Sequence, residues 1–111
     1  MYISLNIATH KAREQALKTC LRRALNQSLN ATIINVYLND YEVQDWQKDL
    51  AKNNPVNFIE GEDLGAAAKF WYADAQEEGV YVTLDDDLKV HPSYIERLVE
   101  GAFIYPNSIV G

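Results

Sequence analysis

A chain of 111 residues can bury one modest core and is too short for two, so residues 1–111 read as a single domain. Apolar residues make up 48% and charged residues 23%, an ordinary globular composition that argues against disorder. The net charge is −6 and the ten Lys and Arg are scattered, so no basic stripe is offered to nucleic acid, which is excluded as an expected partner.

No apolar run approaches the ~18 residues of a membrane span, and no basic segment followed by an apolar run opens the chain. The expectation is a cytoplasmic protein with no membrane span. The single cysteine, Cys20, lies within a helical pattern where a small buried hydrophobe fits, and it can build neither a disulfide framework nor a zinc site.

Along the chain, apolar runs alternate with helical patterns. Tyr2 to Ala8 (YISLNIA) has the β-branched and aromatic content of a strand, and Thr9 is positioned to cap the next segment. From Lys11 to Leu29 the residues Ala12, Ala16, Leu17, Cys20, Leu21, Ala24, Leu25 and Leu29 form the stripe of a helix with one buried face. Thr32 to Leu38 (TIINVYL) reads as a second strand, ended by the turn formers Asn39 and Asp40. A weaker helical pattern spans Val43 to Lys52 and stops at Asn53-Asn54-Pro55, because proline cannot continue a helix. Val56 to Glu60 is a short third strand.

Asp63 and Gly65 open a further expected helix running to about Glu78, with Ala66, Ala67, Ala68, Phe70, Trp71 and Ala75 against the sheet and Gly79 as its stop. Val80 to Leu84 is an almost continuous apolar run, the mark of a strand buried on both faces. Pro92 and the Ser93–Glu96 capping-box spacing start a helix with Tyr94, Ile95, Leu98, Val99, Ala102 and Phe103 inward. The closing SIVG reads as the first residues of a fifth strand with no evident neighbour. Strands separated by helices predict an α/β fold: a Rossmann-like parallel sheet covered on both faces.

In such sheets ligands bind outside the carboxyl ends of the strands. That rule gathers Ala8-Thr9-His10, Asn39-Asp40, Glu60 to Asp63 and the triplet Asp85-Asp86-Asp87 at one edge. If strand geometry persists through the triplet, Asp85 and Asp87 point to one side and Asp86 to the other. Two converging carboxylates repel unless a cation joins them. Hard oxygen donors suit Mg²⁺ or Mn²⁺, and Mg²⁺ commonly takes one or two protein carboxylates and fills its shell with substrate phosphates. The chain has no G-x-x-x-x-G-K-[ST] loop, which disfavours a P-loop nucleotidase. His10 and His91 read as turn residues rather than ligands.

TLDDDLKVHPSYIERLV resembles the aspartate-any-aspartate motif, proline turn and helix of the family 2 glycosyltransferases, which have the GT-A fold. LNQSL (Leu25 to Leu29) is similar to that family's first-helix ending, ISLNIATHKAR to its opening strand and turn, and EGEDLGAAAKF to its segment with a glycine, here Gly65, and a basic residue, here Lys69. The resemblance implies that Thr9 lines a nucleotide pocket, that Asp40 approaches the base and that Lys69 lies against the nucleotide. It further implies that Asp85 contacts the ribose or the metal, that Asp86 belongs to the nucleotide site, and that Asp87 ligates a Mn²⁺ or Mg²⁺ ion on the diphosphate of a sugar nucleotide, a UDP-sugar first among the candidates.

Strand two ends in YLNDY where the family commonly has two aspartates and a glycine-serine turn. The resemblance covers only the sugar-nucleotide half of the family's catalytic domain; the acceptor half would begin after Gly111, and no residue here is assigned as the catalytic base. The expected function is metal-dependent binding of a nucleotide-diphosphate sugar as part of a glycosyltransferase. The alternatives are a truncated non-catalytic interaction or nucleotide-binding module and an unrelated Mg²⁺-dependent phosphate-processing domain. An open sheet edge beside the fifth strand further predicts a homo-oligomer or a partner that covers it.

Overall fold

A computed structural model describes residues 2–73, 79–102 and 109–110. Its strands are β1 (Ile3–Thr9), β2 (Ile33–Asn39), β3 (Val56–Gly61), β4 (Val80–Asp85) and β5 (Ile109–Val110), in one sheet of order β3-β2-β1-β4-β5. Every neighbouring pair runs parallel. The helices are α1 (Glu14–Leu25), α2 (Asp45–Asn53) and α3 (Tyr94–Ala102), and a 3-10 segment covers Gly65–Phe70. The fold is α/β and Rossmann-like, as the alternation of strand and helix patterns predicts.

Side chains alternate along each strand, and the two sheet faces are chemically different. On one face Ile3, Leu5 and Ile7 of β1, Ile34, Val36 and Leu38 of β2, and Val80, Val82 and Leu84 of β4 join Leu17, Cys20, Leu21 and Ala24 of α1 and Ile95 and Val99 of α3 in a single buried cluster. Burying a side chain of this size contributes about 1.5–3 kcal/mol, so this face is the principal source of stability. The other face carries a polar row. Asn6, Asn35 and Asn57 stand in register across β1, β2 and β3. Asn57 Nδ2 donates to Asn35 Oδ1 (3.4 Å), Asn35 Nδ2 to Asn6 Oδ1 (3.0 Å), and Asn6 Nδ2 to Ser4 Oγ (3.0 Å) and the Val82 carbonyl (3.2 Å). The buried amide of Asn6 is thereby satisfied, which is what permits a polar residue at the centre of the sheet.

Several local expectations are corrected. The helix expected from Lys11 is a 3-10 turn over Lys11–Arg13 followed by α1, and Leu29 lies outside it, exposed. Thr9 caps nothing, because its hydroxyl donates to Asp86 Oδ2 at 2.9 Å. The helix expected from Asp63 to Glu78 is the 3-10 segment alone up to Phe70; only Ala68 is buried there, Ala66, Ala67, Phe70 and Trp71 are exposed, and Ala75 lies outside the described residues. Ala68 and the Trp71 ring, 5.8 Å from the Tyr37 ring, give the polar sheet face partial cover. Gly79 has φ +93°, and a Cβ there would collide with the Tyr2 carbonyl, to which the Val80 N–H donates at 2.9 Å. Finally, the SIVG strand has a neighbour, with Tyr81 opposite Ile109 and Val82 opposite Val110.

The capping box expected at α3 does not form, because both of its side chains are engaged elsewhere. Ser93 Oγ pairs with His91 Nδ1 at 2.9 Å, and Glu96 Oε2 accepts from Ser28 Oγ at 2.8 Å. The stronger tie is Gln27, just past the end of α1. Its Nε2 donates to the Arg23 and His91 carbonyls, both at 3.0 Å, while its Oε1 accepts from the Ile95 N–H, also at 3.0 Å. LNQSL therefore grips the start of α3 and fixes the segment that comes after the aspartates. Gln27→Ala leaves the buried Ile95 N–H unpaired and is expected to cost about 1–3 kcal/mol. Urea unfolding should show a lower midpoint with an unchanged slope.

Candidate functional site

The strand order reverses between β1 and β4, since the chain progresses to β2 and β3 on one side of β1 and to β4 and β5 on the other. Open parallel sheets bind ligands in the crevice at such a point. A hollow of about 320 Å³ lies there, floored by Ala8 of β1 and Leu84 of β4, with Asn39 at the end of β2. His10, Arg13, Gly65, Lys69 and all three aspartates complete its wall.

Asp86 is the anchor of this wall. Ala8 pairs with Asp85 in the sheet register, which sets Thr9 and Asp86 side by side one residue further on. Both are buried. Asp86 Oδ2 accepts from the Thr9 hydroxyl (2.9 Å) and Oδ1 from Arg13 Nε (2.9 Å), so both oxygens of the buried carboxylate are paired. The same guanidinium reaches Asp87 Oδ2 through Nη2 at 3.2 Å. Asp86, first, and Asp87 raise the already high pKa of Arg13 further, so its charge is permanent.

Strand geometry does not persist through the triplet. β4 ends at Asp85, the chain turns at Asp86 and Asp87, and the Leu88 N–H closes the turn on the Asp85 carbonyl at 3.2 Å. Asp85 keeps the strand's alternation and faces the 3-10 segment, where Lys69 Nζ meets its Oδ1 at 3.0 Å. Asp87 is turned back to share Arg13 with Asp86. The expected pairing of Asp85 with Asp87 against Asp86 therefore gives way to Asp86 and Asp87 on one cation and Asp85 on another. Asp85 and Asp87 remain open to water, each with 58% of its side chain exposed, and each contact engages one carboxylate oxygen.

Asn39 reads in the sequence as a turn former alone, yet in the fold it joins three elements. Its Nδ2 donates to the Thr9 and Gly65 carbonyls, both at 3.2 Å, and its Oδ1 accepts from the Leu64 N–H at 2.8 Å. With the Tyr81 hydroxyl donating to the Lys69 carbonyl at 2.7 Å, it sets the 3-10 segment over the sheet edge and brings Lys69 to Asp85. Asp40, next along, is exposed, has a left-handed φ of +56° and donates its N–H to the Gly61 carbonyl at 2.8 Å. It stands beside the hollow and does not line it.

Lys69, Asp85, Asp86 and Asp87 thus line the hollow together; Thr9, expected to line it, is buried behind Asp86 and does not, Asp40 is set apart, and Arg13 and Asn39 are added. Arg13 sits in a helical pattern as one more polar residue, and nothing local to it announces a partner more than seventy positions away. Cys20 packs in the core beneath the triplet, its Sγ 3.7 Å from the Asp85 carbonyl. Burial, chiefly, and the three carboxylates push its thiol up to about 12, which suits a packing residue and not a nucleophile.

As donors for a cation, the exposed carboxylates of Asp85 and Asp87 are hard oxygens at the mouth of a hollow, fitting Mg²⁺ or Mn²⁺ that completes its shell from a phosphate. Asp86 has both oxygens committed. Among the described residues no group of three or more His, Cys, Asp and Glu is assembled for a metal, so a cation held here would take its remaining donors from water or a ligand. Also among the described residues, no helix is long and apolar enough to cross a membrane. The chain matches no family model and no curated protein.

The two kinds of carboxylate should separate on substitution. Asp86→Ala removes a buried acceptor bonded to Thr9 and is expected to destabilise the fold by about 1.5–3 kcal/mol. Asp87→Ala, at an exposed position, should stay within about 0.5 kcal/mol of the parent in the same urea titration.

Proposed function

We propose that this chain is the sugar-nucleotide-binding part of a metal-dependent glycosyltransferase resembling family 2. The observation that carries the reading is the hollow at the strand-order reversal, which Lys69, Arg13 and the aspartate triplet, drawn from segments far apart in sequence, line together, with Thr9 bonded to Asp86 from behind. In this reading Asp85 and Asp87 hold Mn²⁺ or Mg²⁺ on the diphosphate of a nucleotide sugar, a UDP-sugar first. Lys69 and Arg13 are the side chains able to face the phosphates. A metal and fixed cations at that position stabilise the charge that grows on a departing nucleoside diphosphate. Asp86 and Thr9 position the turn, and Asp40, which does not line the hollow, is assigned to the base by the resemblance alone.

No acceptor-binding residue or catalytic base is assigned among the described residues, and transfer to an acceptor hydroxyl is proposed only for an enzyme that supplies them. A cytoplasmic location accompanies this reading, with one buried cysteine in the chain, and the edge beside β5 is the surface through which a second copy or a partner would complete the sheet. A second reading, a non-catalytic nucleotide-binding or interaction module, is favoured by the fact that each of the three carboxylates already has a cationic partner from its own chain.

Calorimetric titration of UDP, UDP-glucose and GDP with Mn²⁺, with Mg²⁺ and with chelator separates a sugar-nucleotide site from an interaction module that binds no nucleotide. The expected outcome is uracil-nucleotide binding that requires the metal and is lost in Asp87→Ala. A folded protein that binds none of these ligands under any condition overturns the transferase reading and leaves the interaction module.

A further inference from the structure

The hollow sets three carboxylates against two side-chain cations. Its two exposed carboxylates each carry one side-chain cation, and these arrive from opposite walls: Lys69 from the 3-10 segment onto Asp85, and Arg13 from the turn after β1 onto Asp87. The two cations are not held equally firmly. Arg13 is also bound to the buried Asp86, whereas Lys69 Nζ has Asp85 as its ion-pair partner, with 21% of its side chain exposed and the Phe70 ring 5.7 Å away.

We propose that Arg13 and Lys69 are built-in counter-ions that compete with a divalent cation for Asp87 and Asp85, so that the cation alone is held weakly and a phosphate ligand relieves the competition by accepting the displaced side chains. The proposal rests on the sugar-nucleotide reading of the site for the identity of that phosphate, but not for the competition itself. A carboxylate left without a partner attracts any available cation. A lysine or guanidinium already in contact reduces that attraction, and the metal must expel it. Expulsion strands a positive side chain beside a bound dication, which is unfavourable until an anion arrives. A diphosphate provides acceptors for both the guanidinium fork and the ammonium. Because coupling between two ligands is reciprocal, whatever the phosphate adds to metal affinity the metal adds to phosphate affinity.

The test reads metal binding directly. Free Mn²⁺ is followed by electron paramagnetic resonance during titration of the parent chain, Lys69→Gln, Arg13→Gln and Lys69→Gln combined with Asp85→Asn, each with and without saturating UDP. Lys69→Gln is the main variant, since among the described acids Lys69 pairs with the exposed Asp85, and its backbone carbonyl, bonded to Tyr81, is unchanged. The expected result is Mn²⁺ alone binding about tenfold tighter to Lys69→Gln than to the parent, with the gain from UDP reduced by a similar factor. Arg13→Gln, checked for folding by circular dichroism, should shift in the same direction, and adding Asp85→Asn should abolish the Lys69→Gln gain.

Equal or weaker Mn²⁺ binding by Lys69→Gln, while UDP still binds the parent with metal, overturns the counter-ion role and leaves the sugar-nucleotide reading standing. Tighter Mn²⁺ binding by the variant, with UDP bound by neither protein, supports the counter-ions and overturns the sugar-nucleotide reading. A gain that survives Asp85→Asn places the added cation elsewhere on an acidic surface and overturns the proposal.

Discussion

The carboxylate of Asp86, buried between the Thr9 hydroxyl and the Arg13 guanidinium, is the contact on which the geometry of the hollow depends. A buried charge is tolerated only when its oxygens are paired, and here the two partners come from the end of one central strand and the turn just after it. The requirement fixes where β4 must stop relative to β1. It also aims the neighbours: with Asp86 drawn to the helix-covered face, Asp85 is left on the opposite face toward Lys69, and the turn returns Asp87 to Arg13. Three adjacent residues of one kind thus take three environments. One is buried and structural, and two stay exposed, each on a side-chain cation.

The sheet beneath is built to hold that arrangement still. The apolar face packs on α1 and α3, and Gln27 and Ser28, at the end of α1 away from Arg13, lock the two helices together and tie down the segment that follows the aspartates. The opposite face uses amides. The row Asn6-Asn35-Asn57 and the separate Asn39 cluster direct their hydrogen bonds to neighbouring strands and to the loop before the 3-10 segment, so the hollow is framed by bonded polar groups as much as by packing. Polar networks of this kind specify position when fully bonded.

Much of the fold is legible in the sequence because strands in a parallel sheet must be apolar where both faces are covered, and TIINVYL and VYVTL carry that mark plainly. The 3-10 segment is not. GAAAKF has strong helix formers, but Asn39 holds Leu64 and Gly65 at its start and the Tyr81 hydroxyl takes the Lys69 carbonyl that an α-helix would use, so tertiary bonds override propensity. The triplet's location at the strand end is readable and its side-chain directions are not, since alternation holds only while the strand continues. Arg13 and Asn39 stay hidden for a related reason: their partners are assembled by the fold, and sequence spacing holds no record of them.

The central claim is that the crevice between β1 and β4 takes a metal-bound nucleotide diphosphate. Its most direct test is an amide-resolved nuclear magnetic resonance titration of the folded chain with UDP and Mg²⁺. Shifts are predicted to concentrate at Ala8 to Arg13, Asn39, Gly65 to Lys69 and Asp85 to Asp87, and to vanish when the metal is chelated. Shifts centred instead on the α1–α2 side around Trp46, or an unchanged spectrum at saturating ligand, would contradict the claim.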